Sequence, residues 1–249
     1  MKNFIIKLLQ KKKIFLSRTN WKQFYFNRIG KEKLIISFDE IIKKFITYPN
    51  PIIFDVGANK GETIERFNRI FEATSFHCFE PNKIAFDILK KFENDKIKIN
   101  NFALGDKIEK KNFFNYPKTS SSGFYSINQN SKIYDINKNF SNSTVEVSTV
   151  DRYCEDNGIS KIDILKIDTQ GHEKFVLIGS KKIIQTKNIN FIEIEIHLGN
   201  QYNRNPTTFY EIEEILNKDY RLIGIDRHGN VIGDMDFQFN ALYASRNLF

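Results

Sequence analysis

The sequence predicts a doubly wound α/β fold, a mostly parallel sheet with helices on both faces, and three observations carry that expectation. From Pro51 onward, short β-rich runs alternate with amphipathic helical runs. No internal repeat or low-complexity linker interrupts the alternation. The chain has 249 residues, enough to bury the core of one α/β domain with an accessory segment.

Each element follows from its own pattern. Ile52–Val56 is a strand, and Glu62–Phe71 a helix with Ile64, Phe67 and Phe71 on one face. Ser75–Phe79 is the next strand; Pro81 then opens a helix carrying Ile84, Ile88 and Leu89. A third strand covers Ile97–Phe102. The stretch from Asp106 to Asn142, rich in Asn, Ser and aromatics, reads as a hairpin with loops over the end of the sheet. Val145–Ser148 is a short strand and Val150–Glu155 a short helix. Then come Ile162–Ile167 (strand), Glu173–Thr186 (helix), Ile189–Ile196 (strand) and Thr208–Asn217 (helix). Arg221–Ile225 and Phe237–Ala244 close the sheet.

The formal net charge is +8, but it is unevenly distributed. Residues 1–50 hold 12 Lys/Arg against 3 Asp/Glu, whereas the remaining 199 hold 26 against 27. The basic character therefore belongs to an N-terminal extension, residues 1–47, and the domain over 48–249 is neutral. A neutral body, with no D/N-P-P-[YF] motif, disfavours a protein that binds or modifies nucleic acid, and no nucleic-acid partner is expected. Within the extension, residues 1–16 place Phe4, Ile5, Leu8 and Leu9 beside five lysines. One reading is a basic amphipathic helix on an anionic membrane surface, which would make the protein peripheral at the inner face. The other, which we favour, is a helix packed on the domain with its lysines solvated. The pattern predicts a helix over Phe38–Thr47, ended by Pro49 and Pro51. Cys78 and Cys154 form no framework and no metal pattern, which fits a reducing, cytoplasmic compartment. No apolar run reaches the roughly 18 residues a membrane-spanning helix needs.

The first turn after a strand reads Phe54-Asp55-Val56-Gly57-Ala58-Asn59-Lys60-Gly61. Glycines there let backbone approach a ligand, and the following helix offers free N–H groups. Glu80 ends the next strand, 19 residues after Gly61, where a carboxylate can accept hydrogen bonds from both hydroxyls of a ribose. Together they describe a nucleoside-containing cofactor at the sheet's switch point. The middle glycine of a dinucleotide G-x-G-x-x-G is absent, and no Walker lysine pattern occurs. Asp55 would repel phosphate and suit a cationic group, so the turn fits S-adenosylmethionine better than NAD.

The strings FDVGANKG, HCFEPN, NFALGD, VSTVDRY and IDILKIDTQGHEKFVLIGS, in that order over residues 51–197, resemble the FkbM family of S-adenosylmethionine-dependent methyltransferases. The resemblance implies a Rossmann-like class I methyltransferase fold with seven strands, the last antiparallel, and methyl transfer to a hydroxyl oxygen, commonly of a sugar or polyketide. It implies that Asp55 and Gly57 sit by the methionine part of the cofactor, that Asn59 and Gly61 shape the loop, and that Glu80 holds the ribose. It also implies that Ala103 and Leu104, with Asn101 nearby, flank the adenine, and that Asp168 faces the site of methyl transfer. The family often has Glu where this chain has Gln170, in the pattern D-x-E-G-x-E; Gln keeps a hydrogen-bonding group and loses a charge.

An alcohol attacks a methyl group only as a base begins to remove its proton. Asp168 is the preferred base or base-orienting residue, with His172 second. In the strand Phe191–His197, Glu193, Glu195 and His197 share one face by alternation. Carboxylates on a strand covered on both sides need an explanation. An active-site wall accounts for Glu195; for Glu193, a less covered face or pairing with helix lysines is an equal alternative. Asp168, Glu195 and His197 could also bind a divalent cation, and spacing does not decide it. Glu173, in a first helical turn, is favourable there without any catalytic role. The sequence thus reads as an O-methyltransferase acting on a carbohydrate, glycan or lipid-linked hydroxyl, with Ser120–Tyr125 walling the acceptor pocket. A non-catalytic cofactor-binding module is the other class that the sequence leaves open.

Overall fold

The computed structural model describes residues 15–17, 37–131, 133–199, 201–203, 207–228 and 237–249. Its main sheet contains strands β1 (Phe15–Ser17), β2 (Ile52–Val56), β3 (Ser75–Phe79), β4 (Ile97–Asn100), β8 (Ile162–Ile167), β9 (Ile189–Leu198), β10 (Tyr220–His228) and β11 (Phe237–Ser245). Their order across the sheet is β1-β10-β11-β9-β8-β2-β3-β4. Strands β2, β3, β4, β8 and β9 run parallel, and β11 is antiparallel to both neighbours. Without β1, this is the seven-stranded class I methyltransferase sheet expected from the sequence. A second sheet joins β5 (Ala103–Leu104), β6 (Glu109–Asn115) and β7 (Ser141–Ser148), with β6 and β7 antiparallel. The strand expected at Val145–Ser148 starts earlier, at Ser141, and is the partner of β6, in place of a hairpin contained within 106–142.

The helices are α1 (Phe38–Phe45), α2 (Glu62–Asn68), α3 (Lys83–Leu89), α4 (Tyr134–Asn137), α5 (Val150–Asn157), α6 (Glu173–Ile178), α7 (Lys181–Gln185) and α8 (Phe209–Leu216). Ser37 and Glu40 form a capping box at α1, and Thr208 with Glu211 does the same at α8. Two apolar clusters pack on the two faces of the sheet. Phe54, Leu165 and Ile192 belong to one; Ile53, Ile164 and Phe191 belong to the other, as the two-residue period of a strand requires. Helix α1 adds Phe38, Ile42 and the adjoining Ile46 to the second cluster.

Four expectations need correction. Residues 1–14 of the expected N-terminal helix lie outside the described residues, but Phe15 and Leu16 are in a strand. β1 pairs in parallel with β10, covering the backbone groups of what would otherwise be an edge. The helix expected over Glu173–Thr186 is two helices. A Cβ on Gly179 would stand 1.9 Å from the carbonyl oxygen of Gly105, so close backbone approach breaks the rod. Asp151, distant in sequence, then caps the second piece by accepting from the Lys182 and Ile183 amides at 2.8 and 3.1 Å. The strand beginning at Ile97 stops at Asn100, and Ala103–Leu104 turn into the second sheet. Ile84 and Ile88, expected on a packed face, are 64% and 37% exposed, while Ala85 and Leu89 are buried. No helix among the described residues is long and apolar enough to cross a membrane.

Candidate active site

A cavity of about 450 Å³ opens at the carboxyl ends of the parallel strands, within the usual range of small-molecule sites. One of its walls is made by the turn after β2. Gly57 has φ +85°, and a Cβ there would come within 1.8 Å of the Asp168 carbonyl oxygen. Gly57 is thus required by the approach of the turn to the end of β8, a constraint set by the protein before any ligand. Gly61, φ +101°, faces Phe92 instead and does not line the cavity. The Gly57 and Ala58 amides donate to the Phe79 carbonyl at 2.9 and 3.1 Å, fastening the turn to β3.

Glu80 lies just beyond β3 and lines the cavity. Its Oε2 accepts the Asn59 amide at 2.8 Å and its Oε1 accepts the Asn82 amide at 2.7 Å. Each oxygen keeps a further lone pair, so two more donors can be accepted. Burial raises the carboxyl to about 7, with the two amides pulling the other way. Asn59 and Ala103–Leu104 also line the cavity. Asn101 does not; its amide donates to the Glu80 and Pro81 carbonyls at 2.9 and 3.3 Å, so it shapes the turn that carries Glu80. Asp55 does not line it either. Asp55 is fully buried under the turn, and burial raises its pKa, with Lys166 and Thr63 pulling the other way.

On the other side of β2 the wall is charged. Asp55, Lys166 and Glu193 are neighbours in register across β2, β8 and β9. Lys166 Nζ stands 3.3 Å from Asp168 and 3.9 Å from Asp55. Burial pulls Lys166 toward neutrality, but Asp168 and Asp55 outweigh it and raise its pKa. Glu193 is buried and holds Arg66 of α2 through two hydrogen bonds of 2.7 and 3.0 Å. Arg66 also reaches Asp39 of α1 at 2.6 Å. Glu193 thus lines the cavity and also pairs with a helix cation, an arginine where the expected partner was a lysine.

Asp168 and Glu195 both line the cavity and are joined by one side chain. Gln170 Nε2 donates to Asp168 Oδ1 at 2.8 Å and to Glu195 Oε2 at 3.0 Å. Gln170 takes φ +56°, and its Oε1 accepts the Tyr202 hydroxyl. Behind Glu195, His197 Nε2 is 3.2 Å from Oε2. Burial and the Asp168 charge raise Glu195, and Glu195 lifts His197 to about 8 against its own burial. Glu173 Oε1 accepts the Thr169 and Gly171 amides, each at 3.0 Å, and so fixes the turn that presents Asp168 and Gln170. His172 stands apart from the cavity lining. Its ring lies 4.5 Å from each of Phe124 and Phe175, both nitrogens lack partners, and burial lowers it to about 3.

The hairpin segment closes the cavity with Phe113, Thr119, Ser120, Ser122 and Phe124. Thr119 Oγ1 donates to Asn59 Oδ1 at 2.8 Å, and Asn82 Nδ2 donates to Ser122 Oγ at 3.2 Å, tying the segment to the turn that holds Glu80. Arg66, Lys166 and Tyr202 were not singled out from the sequence. A lysine inside the apolar run Ile162–Ile167 was the available signal for Lys166, whereas neither Arg66 nor Tyr202 carries a local one. Among the described residues there is no group of three or more His, Cys, Asp and Glu side chains able to hold a metal ion.

Comparison with known proteins gives the family of the chain. The model of the methyltransferase FkbM domain matches residues 55–222. The 2-O-methyltransferase NoeI of Sinorhizobium fredii is 24% identical over 156 residues, covering 57% of this chain. The chain spans 63% of that relative's length. Among solved structures, the METTL16 methyltransferase domain superposes with a TM-score of 0.46 at 10% identity, covering 96% of this chain and 75% of that one. An rRNA methylase from Streptococcus thermophilus gives 0.46 at 8% identity, covering 85% and 98%. With the FkbM match spanning most of the domain, and with the class I strand order, the chain belongs to the FkbM family of S-adenosylmethionine-dependent methyltransferases.

Proposed function

We propose that the enzyme methylates a hydroxyl oxygen of a carbohydrate, glycan or related natural product. The observation that carries this reading is the pair of carboxylates, Asp168 and Glu195, on the cavity wall across β2 from Glu80. A hydroxyl needs a proton acceptor at the moment it attacks, and a nitrogen or thiolate nucleophile has less need of one. The similarity to a protein named as a 2-O-methyltransferase supports oxygen as the acceptor atom.

In this reading Glu80 accepts the two ribose hydroxyls, with Asn59, Ala103 and Leu104 against the nucleoside. When bound, S-adenosylmethionine supplies a methyl carbon activated by a sulfonium and open to in-line attack. Asp168 orients the acceptor hydroxyl and takes its proton, and Glu195 shares that load through Gln170. Lys166 limits the negative charge around Asp55 and Asp168. Ser120 and Ser122, with Phe113 and Phe124, pack on the acceptor, as aromatic faces do on sugar rings.

The test is methyl transfer from ¹³C-methyl-labelled cofactor to a panel of mono- and oligosaccharides, nucleosides and amines, read by NMR of the products. A labelled O-methyl ether on a sugar is the expected product. Methylation confined to nitrogen, carbon or nucleic-acid substrates would overturn the reading.

A further inference from the structure

The bridge made by Gln170 differs from an ordinary surface amide contact. Two carboxylates point at one nitrogen, Asp168 at 2.8 Å and Glu195 at 3.0 Å. The amide presents its NH₂ to both acids, and the Tyr202 hydroxyl donating to Oε1 fixes that orientation. Each carboxylate also has its own cation: Lys166 beside Asp168 at 3.3 Å, His197 beside Glu195 at 3.2 Å. Protein cations thus stand beside both acids, with Lys166 shared with Asp55, and one amide nitrogen lies within hydrogen-bond reach of both carboxylates. A divalent ion bridging them would need oxygens at about 2.0–2.6 Å and would have to displace that nitrogen.

We propose that Gln170 is a positioning residue that occupies the bridging position a divalent cation would take, so that the carboxylate pair works in methyl transfer without a metal. The clamp holds Asp168 and Glu195 in one geometry and leaves Lys166 and His197 as their only counter-charges among the described residues. Replacing the amide by a third carboxylate converts the clamp into an oxygen-rich cluster of Asp168, Glu195 and residue 170, which requires a cation to be stable.

The role of the pair in methyl transfer rests on the hydroxyl-methylation reading, but the cation arm of the test does not. Mn²⁺ is titrated into the full chain, wild type and Gln170→Glu, and followed by electron paramagnetic resonance. Binding of S-adenosylhomocysteine serves as the check that each protein is folded. Wild type is expected to show no stoichiometric Mn²⁺ site, and Gln170→Glu to bind at least roughly tenfold more tightly, as an added carboxylate ligand should. The gain should vanish in the Gln170→Glu, Asp168→Asn double variant. On any acceptor found active, chelation should leave wild-type turnover unchanged, while Gln170→Glu should lose kcat and regain part of it with Mn²⁺. A stoichiometric wild-type site lost in Asp168→Asn, or a folded Gln170→Glu that gains no cation affinity, would overturn the proposal. Failure to find a hydroxyl acceptor would touch only the reading of the reaction, since the Mn²⁺ titration contains no acceptor.

Discussion

The two sides of the cavity are built by different means. On the Glu80 side, position is set by backbone: the Gly57 turn is fastened to Phe79, and two main-chain amides hold the Glu80 carboxylate. Across β2, position is set by side chains that meet from far apart in sequence, such as Arg66 with Glu193 and Gln170 with Glu195 and Tyr202. The first construction makes a rigid receptor that needs few residue types. The second makes a charge network in which every member depends on another, and removing one leaves a buried charge without its partner.

That difference orders the expected effects of substitution. The largest is Asp168→Asn, which should cut turnover by about 10²–10⁴, the usual worth of general acid–base catalysis. Steady-state kinetics check this, and activity within a few-fold of wild type would move proton transfer to Glu195 alone. Next is Arg66→Ala. It leaves Glu193 buried and unpaired, so stability should fall by about 3 kcal/mol, read from the denaturant midpoint. An unchanged midpoint would mean that water reaches Glu193 and that the network is looser than drawn. A smaller effect is expected from pH. Burial raises Glu80 to about 7, and in the proposed role only its ionised form accepts two hydroxyls. Cofactor affinity should therefore be constant above pH 8 and decline below 7, by up to about tenfold per unit. Affinity flat from pH 8 to 5.5 would break the link to Glu80.

The smallest concerns the far end of the network. His197 is raised to about 8 by Glu195, so its contribution to stability is complete below its unfolded value near 6.5 and is lost as pH rises through 8. Wild type should lose about 2 kcal/mol more between pH 6 and 9 than His197→Asn does, measured by paired denaturation curves.

The same contrast explains what the sequence revealed. The turn, Glu80 and the strands β2, β3, β8 and β9 were legible because each is a local signal: glycines needing positive φ, a carboxylate closing a strand, apolar runs of the right length. Glu195 was legible because a carboxylate inside a buried strand is anomalous by itself. His172 misled, since a histidine after a glycine looks available, yet it packs between Phe124 and Phe175 with its nitrogens turned to no partner. Tyr202 could not be found, because its role exists only where the chain after β9 crosses Gln170. The break at Gly179 was hidden for a similar reason, being set by the Gly105 carbonyl 74 positions earlier.

The central claim is that holding the cofactor and handling the proton are separate tasks of the two sides of β2. Calorimetric titration of S-adenosylmethionine into wild type, Glu80→Ala and Asp168→Asn tests it directly. Glu80→Ala should lose about 1.5–3 kcal/mol of affinity, the scale of charge-assisted hydrogen bonds, while Asp168→Asn stays within a few-fold of wild type. Unchanged affinity in a folded Glu80→Ala, or an equal loss in both variants, would contradict the division.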